Sequence, residues 1–313
     1  MYFTQVSLVV LAGATIATAA PLEAPKHTLY RRTAQYHSSC DKPGPDGGEN
    51  MKAKAQRAFT DASQMAYQTQ IRHDNSGNAF TESSAHYFAD ADKDQVKRMM
   101  QVIYNSRLPV DDNDGGQGYF IDIRCGNSED PQTCSGSTLA GTNARPGQSV
   151  VNVNVAFKMV LCDRFFRNSE PRTKNDFQTK KFDDSRNGWC QPNEEFPFFE
   201  IAGLTIFHEM THLHTVGQRA GLEAFPDPDG YSTSGTIDVY EKGGDDDRAK
   251  YKDMDPWKAA RKLKQLWDEY NADNSKYKPL WSPIHNADSY AAAALEFSYL
   301  EPCKWDVILP NSV

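Results

Sequence analysis

The sequence predicts an α+β fold: N-terminal helices, a small mainly antiparallel sheet, then a histidine-bearing helix and C-terminal helices that close a cleft. Three observations carry this. Apolar residues recur at three- and four-residue steps early and late in the chain, they alternate in a short central stretch, and Pro, Gly and Asp crowd the segments between.

In residues 51–73 the apolar positions Ala55, Phe59, Ala62 and Ala66 fall on one helical face. A second helix is expected over 93–106, with Val96, Met99, Met100 and Ile103 inward. DDNDGGQG (111–118) is a loop, after which YFIDIRC reads as a strand. In 149–157, SVVNVNVAF puts Val151, Val153, Val155 and Phe157 on one side, the period of a half-buried strand. A polar linker (168–187) follows. One helix is then expected from just after Pro197 to near Gly217, with Ile201, Leu204 and Thr205 on the side of His208 and His212. Residues 222–253 are rich in Pro, Gly and Asp and read mostly as loop. Two last helices are expected over 256–271 and 286–300, and no internal repeat is present.

The chain has 313 residues, of which 39% are hydrophobic, enough for a sizeable core. A charged fraction of 24% and a mean hydropathy of -0.68 describe a well-solvated surface. The net charge of -8, with no basic cluster, argues against nucleic acid or an anionic membrane as partner. Residues 1–19 hold an apolar run from Val6 to Ile16 and then Ala17-Thr18-Ala19. They read as a signal peptide, although Lys and Arg are missing from its start, and a membrane anchor would need a longer run. Residues 20–35, with the pair Arg31-Arg32, read as a pro-segment or a disordered N-terminus, and 36–313 as the domain of a secreted, extracellular protein. Its six cysteines suggest three disulfides, and without a CxxC pair a zinc ribbon is not expected.

The chemistry concentrates at FHEMTH (207–212). On a helix, His208 and His212 stand one turn apart on one face, so two imidazoles can reach one ion. Catalytic zinc takes three protein ligands and keeps a place for water, and Glu209, beside His208, is placed to act as the base. His214 points off that face. His27, His37, His73, His86 and His285 have no comparable spacing. A third ligand must come from downstream, where GTID (235–238) offers Asp238 and NADSY (286–290) offers Asp288. The acid run at 245–247 is more simply a solvated loop than a calcium site. Signatures of serine hydrolases, P-loops and dinucleotide folds are missing.

Taken together, HEMTH, GTID and NADSY resemble the aspzincin metalloendopeptidases, the family of fungal deuterolysins and peptidyl-Lys metalloendopeptidases. HYFADADKDQVKRMMQVIY (86–104) and the cysteine order around IRC, LCDRFF and GWC are similar too, so the resemblance spans roughly 40–303. It implies a zincin-like metalloprotease domain with an HExxH active-site helix, in a secreted metalloendopeptidase that hydrolyses protein or peptide substrates. A basic residue after the cleaved bond would be preferred, and a monomer is expected. The implied Zn2+ ligands are His208, His212 and Asp238, with Glu209 the general base. Asp288 would be the floor of the substrate pocket or, alternatively, the third ligand. The implied disulfides are Cys40 to Cys125, Cys134 to Cys162 and Cys190 to Cys303.

The chain departs from the family in four places. Long insertions occupy 213–234 and 241–285. The family tyrosine three residues after the ligand aspartate is Glu241 here, with Tyr240 one position early as the candidate oxyanion support. Ala291 stands where strictly Lys-specific members carry a second acid. A zinc-binding secreted protein or antigen with weak or no turnover is therefore the alternative reading. For an active enzyme, the 149–157 strand is the candidate edge along which an extended peptide would lie.

Overall fold

The computed structural model describes residues 34–76, 83–106, 120–143 and 156–305, apart from 185, 192, 227–229, 231, 240–248 and 252. The expected signal peptide, the 111–118 loop, the 245–247 acids and Tyr240 lie outside these residues. So does most of 20–35, but its last two residues, Ala34 and Gln35, belong to a strand.

Helix α1 (Met51–Ser76) begins where Asn50 Oδ1 accepts the Ala53 amide at 3.2 Å, satisfying one of the free donors of a first turn. The expected stripe is its buried face: Ala55, Ala62 and Ala66 are fully buried and Phe59 nearly so. Helix α2 (Lys93–Asn105) buries Val96, Met99, Met100 and Ile103 and packs on α1.

The main sheet has the order β1-β2-β4-β3, from β1 (Ala34–Tyr36), β2 (Phe120–Cys125), β3 (Ala140–Thr142) and β4 (Ala156–Leu161). β1 runs parallel to β2 and β2 parallel to β4; only β3 on β4 is antiparallel. The expectation of a mainly antiparallel sheet is therefore corrected. Parallel strands need long crossovers, and α1 and α2 supply one between β1 and β2. Residue alternation does not report strand direction. Of the stretch 149–157, the expected cleft edge, only Ala156 and Phe157 are described; they open β4, which is interior, and among the described residues the edge next to it is β3.

The single helix expected from Pro197 to Gly217 is three pieces. Short α3 (Phe196–Phe199) stops because Glu200 and Ile201 are extended (ψ 133° and 159°). α4 (Ala202–Thr211) follows, and Leu213, extended again at ψ 119°, separates it from α5 (His214–Ala220). A small antiparallel pair, β5 (Phe225–Pro226) and β6 (Ser232–Thr233), interrupts the loop that follows.

Helices α6 (Pro256–Ala272) and α7 (Ala287–Cys303) fall where expected. α7 packs on α1, α4 and α6, and residues 290–300 of it are all buried. Within that core Glu296 is ionised and paired: Arg261 Nη2 from α6 donates to Oε2 at 2.9 Å, and His86 Nδ1 lies 2.9 Å from Oε1. Removing the Arg261 guanidinium would leave a buried carboxylate without its cation, which makes this contact a strong link between α6 and α7.

The disulfides are Cys40–Cys125, Cys134–Cys162 and Cys190–Cys303, the pairing that the resemblance implies. Among the described residues no helix is long and apolar enough to cross a membrane.

Candidate metal centre

His208 lies in the last turn of α4 and His212 caps it (φ -68°, ψ -21°), so their rings leave one face with centroids 4.7 Å apart. Thr211 secures that turn by donating its hydroxyl to the His208 carbonyl at 2.7 Å.

The GTID segment is pressed against the helix end. A Cβ at Gly235 would come within 2.0 Å of the His212 carbonyl oxygen, and one at Gly217 within 1.6 Å of the Ser234 carbonyl oxygen, so only glycine fits either position. This approach lets Thr236 N donate to Thr211 O at 3.0 Å. On its other side the segment pairs with the start of α7: Ile237 N donates to His285 O (2.8 Å) and Ala287 N to Ile237 O (3.0 Å). GTID and NADSY, distant in sequence, are thus joined by backbone, and their aspartates flank His208.

His208 Nε2 and His212 Nε2 are 3.0 Å apart, and Asp238 Oδ1 lies 3.0 Å from the first and 3.4 Å from the second. The other ring nitrogens are engaged elsewhere. His212 Nδ1 faces the Thr236 carbonyl at 2.9 Å and His208 Nδ1 faces Asp288 Oδ1 at 2.8 Å. Carbonyl and carboxylate oxygens accept, so both Nδ1 atoms carry hydrogen, and on neutral rings both Nε2 atoms present lone pairs. Three electron-rich atoms then share one space. The short distances alone would read as ion pairs, yet buried Asp238 Oδ1 receives no hydrogen bond of acceptable geometry.

Either protons or a metal cation can relieve this crowding. As proton acceptors the rings respond strongly: burial opposes a charged His208, but the Asp288 and Asp238 carboxylates outweigh it and hold its pKa well above the usual range. His212 is raised too, burial again being outweighed by Asp238. Burial alone would raise Asp238, but the His212 and His208 charges hold it well below the usual range.

As metal donors they also fit. Around an ion bonded at 2.0–2.1 Å, tetrahedral donors stand about 3.3 Å apart, close to the separations found. Two imidazoles with one carboxylate suit zinc or a similar transition ion, whereas calcium and magnesium take oxygen. Among the described residues this is the only such cluster of three, its donor atoms all within 4.8 Å.

Glu209 is 6% exposed and lines the same cavity of about 750 Å³, between β3 on one side and the start of α6 and α7 on the other. Its Oε2 accepts from Thr142 Oγ1 at 2.7 Å. Asp288 uses Oδ1 on His208, and its Oδ2 is buried without a partner. Glu200, in the break before α4, lines the cavity while 8% exposed. Burial pushes its pKa up to about 7; Arg172 opposes this, and Asp255, Glu170 and Asp288 add to it.

The structure therefore gathers His208, Glu209, His212 and Asp238 around one space and sets Asp288 on the far nitrogen of His208. His214 is buried, and its Nδ1 accepts the Ser234 amide at 2.9 Å. Thr142, Thr236 and Glu200 were not singled out by sequence. Thr236 sits inside a recognised motif, but Thr142 lies 67 residues before its partner and has no local signature.

Comparison with known proteins gives no relative: no family model matches the chain, no curated protein matches it, and no solved structure matches its fold.

Proposed function

We propose that this chain is an exported zinc-dependent metalloendopeptidase with a zincin-like, aspzincin-type site. The observation that carries this reading is the convergence of His208 Nε2, His212 Nε2 and Asp238 Oδ1 on one space beside Glu209. Zinc held there would polarise a peptide carbonyl and bring the pKa of a water molecule toward neutrality.

The chain's own groups do the rest. Asp288 and the Thr236 carbonyl fix the two rings through their Nδ1 atoms, which keeps both Nε2 lone pairs available. Glu209 takes the proton from the attacking water and hands it to the departing amine. With Oε2 on Thr142, its Oε1 is the atom left for that proton. Among the described residues the outer edge of β3 carries no strand partner, so an extended peptide can add there by backbone hydrogen bonds while its side chains enter the cavity. Asp288 Oδ2 and Glu200 make part of that cavity acidic, which supports a preference for a basic residue after the cleaved bond.

The test is a peptide-library digest by purified protein, with and without a chelator, beside Glu209→Gln. Cleavage that stops with the chelator and falls at least about 100-fold in the variant is expected. Cleavage that survives the substitution would remove Glu209 from its role. Glu241, where the family has tyrosine, favours the second reading of a zinc-binding protein without turnover. A wild-type chain that holds zinc and cleaves nothing would select it.

A further inference from the structure

We propose that Thr142 is a positioning residue for Glu209: its hydroxyl clamps one carboxylate oxygen against the edge strand, so that the other is the one offered to the reacting water. The inference rests on the peptidase reading. It concerns a residue that neither the motifs nor the resemblance points to.

The geometry is specific. Thr142 Oγ1 lies 2.7 Å from Glu209 Oε2, within the range of a charge-assisted hydroxyl–carboxylate bond, and 3.4 Å from the Glu209 carbonyl oxygen. The donor is itself held. Thr142 pairs with Met159 across the β3–β4 ladder, and the next amide, Asn143 N, donates to Lys158 O at 2.9 Å. A β-branched side chain on such a strand has few χ1 choices, so the hydroxyl direction is set by the backbone.

Glutamate by contrast has three torsions between Cα and its carboxylate, and helix α4 restricts the first without fixing the other two. The clamp also ties β3, one wall of the cleft, to α4, the helix that carries the base. The strand whose outer edge would take the peptide backbone is the strand that places the base, so peptide and base are referenced to one element. A misplaced base lowers the rate of the chemical step more than it weakens peptide binding.

The experiment compares wild type with Thr142→Val, which keeps shape and branching but loses the donor, and with Thr142→Ser, which keeps the donor. The expected result is kcat lower by ~10- to 100-fold in Thr142→Val, with KM and bound zinc per chain within about twofold, and recovery in Thr142→Ser. Should the valine variant not fold, Thr142→Ala takes its place. A donor-less variant with wild-type kcat, or a serine variant as slow as valine, overturns the proposal.

Crystal structures of wild type and Thr142→Val give a second readout that needs no turnover. One Glu209 rotamer on Thr142 in the first and several in the second support the clamp. The same single rotamer in both overturns it. If the wild-type protein cleaves nothing, the peptidase reading fails by itself, and this comparison still decides the role of Thr142.

Discussion

Two aspartates flank His208 and do different things. Asp238 shares the space of both Nε2 atoms, while Asp288 is bonded to the opposite nitrogen of one ring. Asp238→Asn is therefore expected to abolish stoichiometric zinc. Asp288→Asn should keep the site but weaken it by about 10- to 100-fold, as the loss of a group that orients a ligand does. Zinc per chain by elemental analysis, and competition with a chromogenic chelator, measure both; equal occupancy in the Asp238 variant would contradict the assignment. The residues alone named both aspartates, and only the resemblance put Asp238 first, because their order depends on which side of a ring each reaches. The histidine pair was legible for the opposite reason: its geometry is local to one helical turn. The Thr142 contact was not legible at all, since nothing in three residues of edge strand announces a partner 67 residues away.

At the scale of elements, the centre depends on how closely the GTID segment approaches α4 and α5. Gly217 is the tightest point, and the atom it meets is backbone, which cannot swing aside. Gly217→Ala is expected to destabilise the fold by about 1–3 kcal/mol, lowering Tm by roughly 2–12 °C, and to lower zinc affinity by shifting Asp238. An unchanged melting curve with unchanged zinc binding would refute that coupling. The long helices α1, α2 and α6 were legible because their apolar stripes outlast any ambiguity of period, whereas α7, buried all round over residues 290–300, has no stripe and was legible from the length of its apolar run. The sheet was read less well. Its strands are three to six residues long, and their direction is set by crossovers that no local pattern encodes. The breaks at Glu200–Ile201 and at Leu213 were also invisible, because the apolar spacing continues through them while the backbone turns extended.

For the molecule as a whole, two buried acids set a dependence of stability on pH. Asp61, 4% exposed beneath the start of α4, has its pKa pushed up to about 7, chiefly by burial, although the Phe177 amide donates to it. Glu200 behaves alike. Each binds a proton more tightly folded than unfolded, so its contribution is complete below about pH 4, declines as pH rises and is gone above about pH 7. For Asp61 the amount is on the order of 4 kcal/mol. Asp61→Asn, which can still accept the Phe177 amide, should gain on wild type as pH is raised from 5 to 8 in thermal melts. A difference in Tm that does not vary with pH would dismiss Asp61 as its source.

The Cys190–Cys303 bond has an effect of another kind. His208, Glu209, His212, Asp238 and Asp288 all lie between its two cysteines, so one covalent ring encloses the candidate metal ligands, the candidate base and Asp288, leaving only Thr142 and β3 outside. If the chain is the peptidase proposed above, a single nick by a neighbouring copy at any peptide bond inside that ring leaves both fragments tethered to each other, so that self-digestion need not scatter the site.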